Sequence, residues 1–183
     1  SALLKTQNNS TNEMSGTELE NNAIVSYNNA IRVMTDDMVV NHNILVIPGI
    51  RDSLITDFAA QRVASYGKAL YVMDIPHHTS AASNTRIFVS SNGIPSGRPD
   101  AEATANDFDV RQLNNSYVAA YFPDVYVRDS GDDDDAAVSS RRSIRVPSSI
   151  VALGALAKND SILSPWFAPA GFNRGSLNSI TAT

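Results

Sequence analysis

The chain contains no cysteine and only three histidines among its 183 residues. The absence of cysteine excludes disulfide bonds, thiol chemistry and zinc sites built on thiolates. Lysine and arginine never cluster beyond the pair Arg141 and Arg142, and the formal net charge is −5. A nucleic-acid surface needs a basic stripe that neutralises phosphates, so this charge pattern argues against nucleic-acid binding.

Long apolar runs are also missing. No stretch approaches the roughly 20 apolar residues of a membrane-spanning helix, so we expect no membrane insertion. The opening segment, SALLKTQNNSTNEMSGTELENN, lacks the basic start and apolar run of a secretory signal. Because the chain begins with Ser rather than Met, we expect it to be a processed product or an internal fragment of a longer protein.

The chain has a hydrophobic fraction of 43% and a charged fraction of only 18%, with abundant Ser, Thr and Asn. A chain of this size can bury about 70% of its unfolded surface, which is enough for a core without cross-links. A neutral polar surface is compatible with repeated contact with other protein molecules. We expect a polar arm over residues 1–16 and one α/β domain over residues 17–183.

One stretch of the chain has the pattern of a strand, a helix and a second strand. An apolar run over residues 44–47 stops at Pro48–Gly49, and a second apolar run covers residues 69–75. Between Asp52 and Gly67 the apolar residues share one helical face. Because such crossovers are right-handed and join parallel strands, the pattern predicts an α/β fold with a βαβ unit in a small mixed sheet and flanking helices.

The remaining elements are predicted from periodicity and turn residues. Helices are expected over residues 17–34, where Thr17 and Glu20 fit a capping box, over residues 101–115, and from a cap at Ser148 or Ser149 to about Lys158. Strands are expected over residues 85–90, 117–121, 125–128 and 143–146, with loop over the rest of residues 76–100. The last two strands can pair as an antiparallel hairpin across the acidic loop 129–142.

Two segments could suggest a cofactor or metal site, and we expect neither. The turn after the first strand has a single glycine, Gly49, and its Asp52 would repel phosphate, whereas a dinucleotide fingerprint needs three glycines. The run Asp132–Asp135 lacks the alternating ligands and final Glu of an EF-hand, which indicates a solvated loop.

Several short motifs follow one another in order between about residues 40 and 177. They comprise a strand ending at Pro48 and Gly49, an aromatic strand ending at Tyr121, Phe122 and Pro123, a helix start at Val146 and Pro147, and a segment with Trp166, Pro169, Gly171, Asn173, Arg174 and Gly175. In this order they resemble the sheath proteins of contractile bacteriophage tails. Ser148 stands where that family usually has a second proline.

The resemblance implies a structural role without a cofactor, a metal or a catalytic residue. Copies would stack helically around an inner tail tube, attach to a baseplate, and contract to drive the tube through the host envelope. The protein would then belong to the virion and be assembled in the host cytoplasm. Its partners would be other copies of itself, the tube protein and the baseplate.

Other interpretations stay open at this point. An α/β hydrolase could use His77 or His78, which follow a strand end, with an acidic partner such as Asp74, although no G-x-S-x-G motif is present. A non-viral binding module is a third possibility. The helix after Pro147 is apolar almost all round and must be covered on most sides. We expect it to pack with Trp166 and Phe167 and so to hold the core rigid. Part of this apolar surface could instead meet a neighbouring subunit.

Overall fold

The computed structural model describes residues 21–79, 86–87, 99–128, 143–164, 166–177 and 180–182. The helices are α1 (Asn22–Met34), α2 (Ser53–Tyr66), α3 (Ala101–Asp109), α4 (Ser148–Ile162) and α5 (Gly171–Arg174). The strands are β1 (Ile44–Val46), β2 (Leu70–Asp74), β3 (His77–Thr79), β4 (Arg86–Ile87), β5 (Pro99–Asp100), β6 (Val118–Tyr121), β7 (Val125–Arg128), β8 (Ser143–Val146) and β9 (Ile180–Ala182). The polar arm, the capping box at Thr17 and the acidic loop 129–142 lie outside the described residues.

The central sheet is parallel, in the order β1-β2-β6. Ile44 lies opposite Leu70, and Tyr71 lies opposite Val118. Helix α2 forms the crossover between β1 and β2, and it ends at Gly67, whose positive φ of 68° suits glycine. The predicted α/β fold with a βαβ unit is therefore confirmed.

The core lies between this sheet and helices α1 and α2. The two helices direct apolar side chains inward, and β2 is buried along almost its whole length. The side chains of the core are less than 9% exposed and comprise Ala23, Ile24, Ile31, Leu45, Ile50, Ile55, Ala59, Ala60, Val63, Tyr66, Ala69, Tyr71, Met73 and Ile75. A near-continuous apolar strand such as β2 is typical of a parallel sheet covered on both faces.

Two smaller antiparallel sheets flank the central one. Strand β7 lies between β8 and β9, and Val125 lies opposite Val146, so the predicted hairpin is confirmed. Strand β3 lies between β4 and β5, so the prediction that the chain is loop at residues 77–79 and 99–100 was wrong. The partners of β3 lie about ten residues away in β4 and about twenty residues away in β5, across segments rich in Ser, Gly and Pro, where local patterns favour loops.

Three helix boundaries differ from the expectations. Helix α1 begins at Asn22, with the Asn21 side chain as its cap. Helix α3 ends at Asp109 rather than near residue 115, and Gln112 then has a positive φ of 51°, which no helix can continue through. Helix α4 runs on to Ile162, beyond the predicted end at Lys158. Within the described residues, no helix has the length and apolar character needed to cross a membrane.

Candidate functional site

The carboxyl edge of the parallel sheet holds a cluster of buried charged and polar side chains. The strands β1, β2 and β6 all end there, and open α/β sheets commonly bind ligands at this edge. We call this group of side chains the edge cluster, and it consists of Arg51, Asp74, Asp124, Arg145, Ser148 and Ser149. The cluster joins the turn after β1, the end of β2, the connection between β6 and β7, and the continuous segment from β8 to the start of α4.

Asp74 is the last residue of β2, and its carboxylate binds the amino end of α4 directly. Oδ1 accepts hydrogen bonds from the Ser149 backbone N at 2.9 Å and the Ser148 Oγ at 3.1 Å. Oδ2 accepts from the Gly49 backbone N at 2.9 Å and the Ser149 Oγ at 2.6 Å. The carboxylate therefore takes the place of a helix cap, where the helix dipole favours a negative charge. The predicted cap at Ser148 or Ser149 was wrong, because Pro147 is the N-cap residue and no side chain caps the helix locally.

Arg51 and Arg145 share the carboxylate of Asp124. The Arg51 side chain is only 1% exposed and pairs with Asp124 Oδ1, while Arg145 Nη2 lies 2.8 Å from Asp124 Oδ2. Nη1 of Arg51 also donates to the Gly49 carbonyl at 3.4 Å. Buried charges are tolerated when they are paired in this way, and removing one partner of such a pair typically costs about 3–5 kcal/mol.

The edge cluster is close to electrically neutral, with two carboxylates facing two guanidinium groups. Asp74 has both carboxylate oxygens engaged, and Asp124 holds an arginine on each oxygen. Free lone pairs for proton abstraction or metal binding would require these contacts to break. Chemically the arrangement fastens four chain segments together, and it does not present a poised reacting group.

The first three sequence motifs meet at this same edge. Gly49 has a φ of 76°, and a Cβ at this position would lie 3.6 Å from Pro147 Cγ, so the turn packs on the start of α4. Tyr121 lies opposite Asp74 in the sheet. Pro123 follows a cis peptide bond. Val146 lies opposite Val125, at the end of the hairpin away from its loop. These residues, which are distant in sequence, therefore lie together at the carboxyl edge of the parallel sheet.

An apolar groove of about 350 Å³ lies beside the edge cluster. It runs between α4, the link from β6 to β7, and the residues around β9. Its lining is almost entirely apolar and includes Tyr121, Pro123, Val125, Val151, Leu156, Pro169 and Ile180. Side chains of this kind supply packing surface, and among the described residues no three carboxylate or imidazole groups lie close enough together to hold a metal ion.

The fourth motif forms a compact turn after α4. A Cβ on Gly175 would lie 2.9 Å from the Pro169 carbonyl oxygen, so only glycine allows this close approach. Gly171 has a φ of 79°, and the Arg174 guanidinium lies 5.2 Å from the centre of the Phe167 ring. The side chain of Asn173 lies outside the described part of the structure.

The expectation that Trp166 packs in the core was wrong. Trp166 is 80% exposed and Phe167 43% exposed, and on α4 Ile150 and Leu153 also face outward. One side of α4 contacts β2 and β6 and lines the groove shared with Pro169 and Ile180. Ile150 and Leu153 are exposed on the other side of the helix.

The described contacts of His78 are with α3 and not with the edge cluster. His78 Nε2 lies 3.8 Å from Asp107 Oδ2, and its backbone N donates to the Thr104 hydroxyl at 3.0 Å. The acidic group facing His78 is therefore Asp107, whereas Asp74 is engaged by α4. His77 is in β3, but its side chain lies outside the described residues.

A second group of buried and partly buried polar side chains lies beside β2 and includes Tyr71 of that strand. Arg111 pairs with Asp57, and its Nη2 donates to the Thr56 hydroxyl at 2.7 Å. The fully buried Tyr71 hydroxyl has no hydrogen-bond partner among the described residues. Burial, and after it the Asp74 carboxylate, raise the pKa of Tyr71 well above its ordinary value.

Sequence reasoning also missed Arg51, Asp124 and Arg145 as members of the cluster. The available signal was position, because each of the three lies at the end of an apolar segment or within one. Lone charges in such places are buried only when they are paired. The partners are far apart in the chain, so the pairing itself required the fold. In comparisons with known proteins, no family model, curated protein or solved structure matches this chain.

Proposed function

We propose that this chain is a structural subunit of a contractile tail sheath, which polymerises helically around an inner tube and contracts to drive that tube through a host envelope. The ordered motifs that resemble the sheath family motivate the proposal. The partners would be further copies of the chain, the tube protein and the baseplate, and the assembly would form part of a virion.

The observation that carries the proposal is the closed edge cluster. The edge of the sheet where α/β enzymes commonly place a reacting group is filled by Asp74, Arg51 and Asp124, each bound to groups from other segments. A subunit that transmits force between two lattice states needs a body that does not deform. Four segments fastened through buried charges would give it that rigidity.

Electron microscopy of the full-length natural protein tests the proposal. We expect hollow, striated polymers, and after triggering a shorter and wider form. A protein that stays monomeric under every assembly condition tried would contradict the proposal.

The competing hydrolase interpretation rests on His78 beside Asp107 at 3.8 Å. A variant with His77→Gln and His78→Gln separates the two. Under the sheath proposal it assembles like the natural protein. Loss of a measured hydrolytic turnover with assembly intact would favour the enzyme.

A further inference from the structure

Helix α4 is attached to the domain by much less apolar burial than helix α2. The two helices have similar lengths, 15 and 14 residues. Helix α2 buries Ile55, Ala59 and Val63 completely. The only buried side chains of α4 are those of the polar residues Ser149 and Asn159. Because apolar burial is the dominant favourable contribution to folding, packing holds α4 in place far less firmly than it holds α2.

Helix α4 covers the face of the central sheet that points away from the main core. Tyr71 and Met73 of β2 belong to the core under α1 and α2. Because side chains alternate along a strand, Val72 and Asp74 point to the opposite face, where Asp74 binds the start of α4. Val72 is completely buried, although it is not a member of the main core. The sheet therefore has a second, smaller apolar layer that α4 covers.

Open space borders α4 on the side of the β8-β7-β9 sheet. In the part of the chain that the structure describes, the groove of about 350 Å³ lies between α4 and the residues around Pro123 and Pro169. A second depression, of about 410 Å³, separates α4 from Val127 and Leu177. Side chains that border open space lack van der Waals contacts on that side. Packing against this sheet therefore adds little to the attachment of α4.

The charge-assisted contacts of α4 with the central sheet lie at the start of the helix. Asp74 Oδ2 accepts a hydrogen bond from Ser149 Oγ, and Asp74 Oδ1 accepts from the Ser149 backbone N and from Ser148 Oγ. We call these three contacts the α4 latch. At the other end, the Asn159 side chain bonds to the Phe167 carbonyl, which lies in the turn after the helix and not in the sheet. Hydrogen bonds to a charged group are about twice as strong as neutral ones, so the latch is the main attachment of α4 to β2.

We infer that α4 opens as a separate unit while the βαβ unit stays folded, and that the α4 latch keeps it closed. A helix of 15 residues is marginal in water on its own, so α4 loses its helical hydrogen bonds when it leaves the sheet. Gly154 in its interior weakens the isolated helix further. The inference goes beyond the proposed function, because it concerns the single chain and holds whether or not copies assemble. The rigidity proposed for the sheath subunit would depend on this latch.

The experiment is native-state hydrogen exchange of the 183-residue chain, followed amide by amide in increasing low concentrations of urea. The backbone amides of α4 should exchange with a lower opening free energy than those of α2. Their opening should also depend less steeply on urea, because the urea slope scales with the surface exposed. A helix that leaves the sheet exposes less surface than unfolding of the whole domain.

Two variants separate opening of α4 from unfolding of the domain. Ile55→Val removes one buried methylene from α2 and should speed exchange of the α2 amides about fivefold, with the α4 amides unchanged, since the core is intact when α4 opens. Ser149→Ala removes one hydrogen bond of the latch and should speed exchange of the α4 amides about tenfold. Ser161→Ala is the matched control, because the exposed Ser161 hydroxyl bonds only within α4, to the Lys158 carbonyl, and exchange should stay unchanged.

Equal opening free energies and equal urea slopes for α2 and α4 would overturn the inference, because α4 would then open only with the whole domain. An Ile55→Val variant in which both helices exchange faster by the same factor would overturn it as well. If Ser149→Ala exchanges like Ser161→Ala, the latch does not hold α4. None of these results depends on whether the full-length protein polymerises, so the inference and the proposed function fail separately.

Discussion

Replacing Asp74 should destabilise the fold more than replacing any exposed acidic residue. In Asp74→Ala the backbone N–H groups of Gly49 and Ser149 lose their acceptor at a buried site. Hydrogen bonds to a charged acceptor contribute about 1.5–3 kcal/mol each, and the serine hydroxyls can turn toward other partners. Allowing for this, we expect a loss of about 4 kcal/mol in the free energy of unfolding, with roughly half that loss for Asp74→Asn.

The assay is urea denaturation followed by circular dichroism, with the midpoint and the slope fitted separately. Asp160→Ala is the matched control, because Asp160 is an exposed acidic residue on the same helix α4. The midpoint should fall strongly for Asp74→Ala and hardly at all for the control. A loss below about 1 kcal/mol for Asp74→Ala, typical of an ordinary surface site, would refute the role assigned to the edge cluster.

Three further predictions concern the free energy of unfolding of the same domain. Arg51→Met should lower the unfolding free energy by about 3–5 kcal/mol, because it leaves a buried carboxylate short of one partner; a loss within 0.5 kcal/mol in urea denaturation would contradict this. Tyr71→Phe should raise the unfolding free energy by about 1 kcal/mol, because it removes a buried hydroxyl that has no hydrogen-bond partner among the described residues. Burial raises the pKa of Tyr71 in the folded state, so above about pH 10 the unfolded state releases its proton first. The natural chain therefore loses stability as the pH rises above about 10. The difference in unfolding free energy between Tyr71→Phe and the natural chain should widen there. Gly49→Ala should lower the unfolding free energy by about 1 kcal/mol or more, because Gly49 has a positive φ. Gly154→Ala should raise it by about 1 kcal/mol, because Gly154 lies inside α4 with open space around it. Thermal melting measures both, and equal shifts of the two melting temperatures would contradict the account.

The sequence allowed the βαβ unit and the hairpin to be predicted because both follow from local pattern. The apolar run at residues 44–46 and the one at residues 70–74 are short, bounded by Pro or Gly, and separated by one amphipathic helix. The strands at residues 125–128 and 143–146 are short segments joined by a single acidic loop, and this order along the chain favours an antiparallel hairpin.

The two ends of helix α4 depend on tertiary contacts that local sequence patterns do not reveal. The cap of α4 comes from Asp74, about seventy-five residues earlier in the chain, so no capping rule could place it. Helix α4 ends at Ile162, and the Asn159 side chain near that end donates to the Phe167 carbonyl eight residues further on, a contact that no local pattern predicts.

The candidate site was predictable only in part. Arg51 was not predicted as a member of the site, because its burial depends on Asp124, seventy-three residues away. The exposure of Trp166 could not be derived from composition, because the same apolar residues suit a core and an interface equally well. The motif residues Pro48, Gly49 and Pro147 did converge in space, which local pattern alone does not require.

A helical reconstruction from electron micrographs of the assembled full-length protein tests the central claim most directly. The account predicts a hollow tube of helically repeated copies, in which the contacts of Asp74 with the start of α4 stay intact inside each copy. Particles that remain single copies, or polymers in which α4 has separated from Asp74, would contradict it.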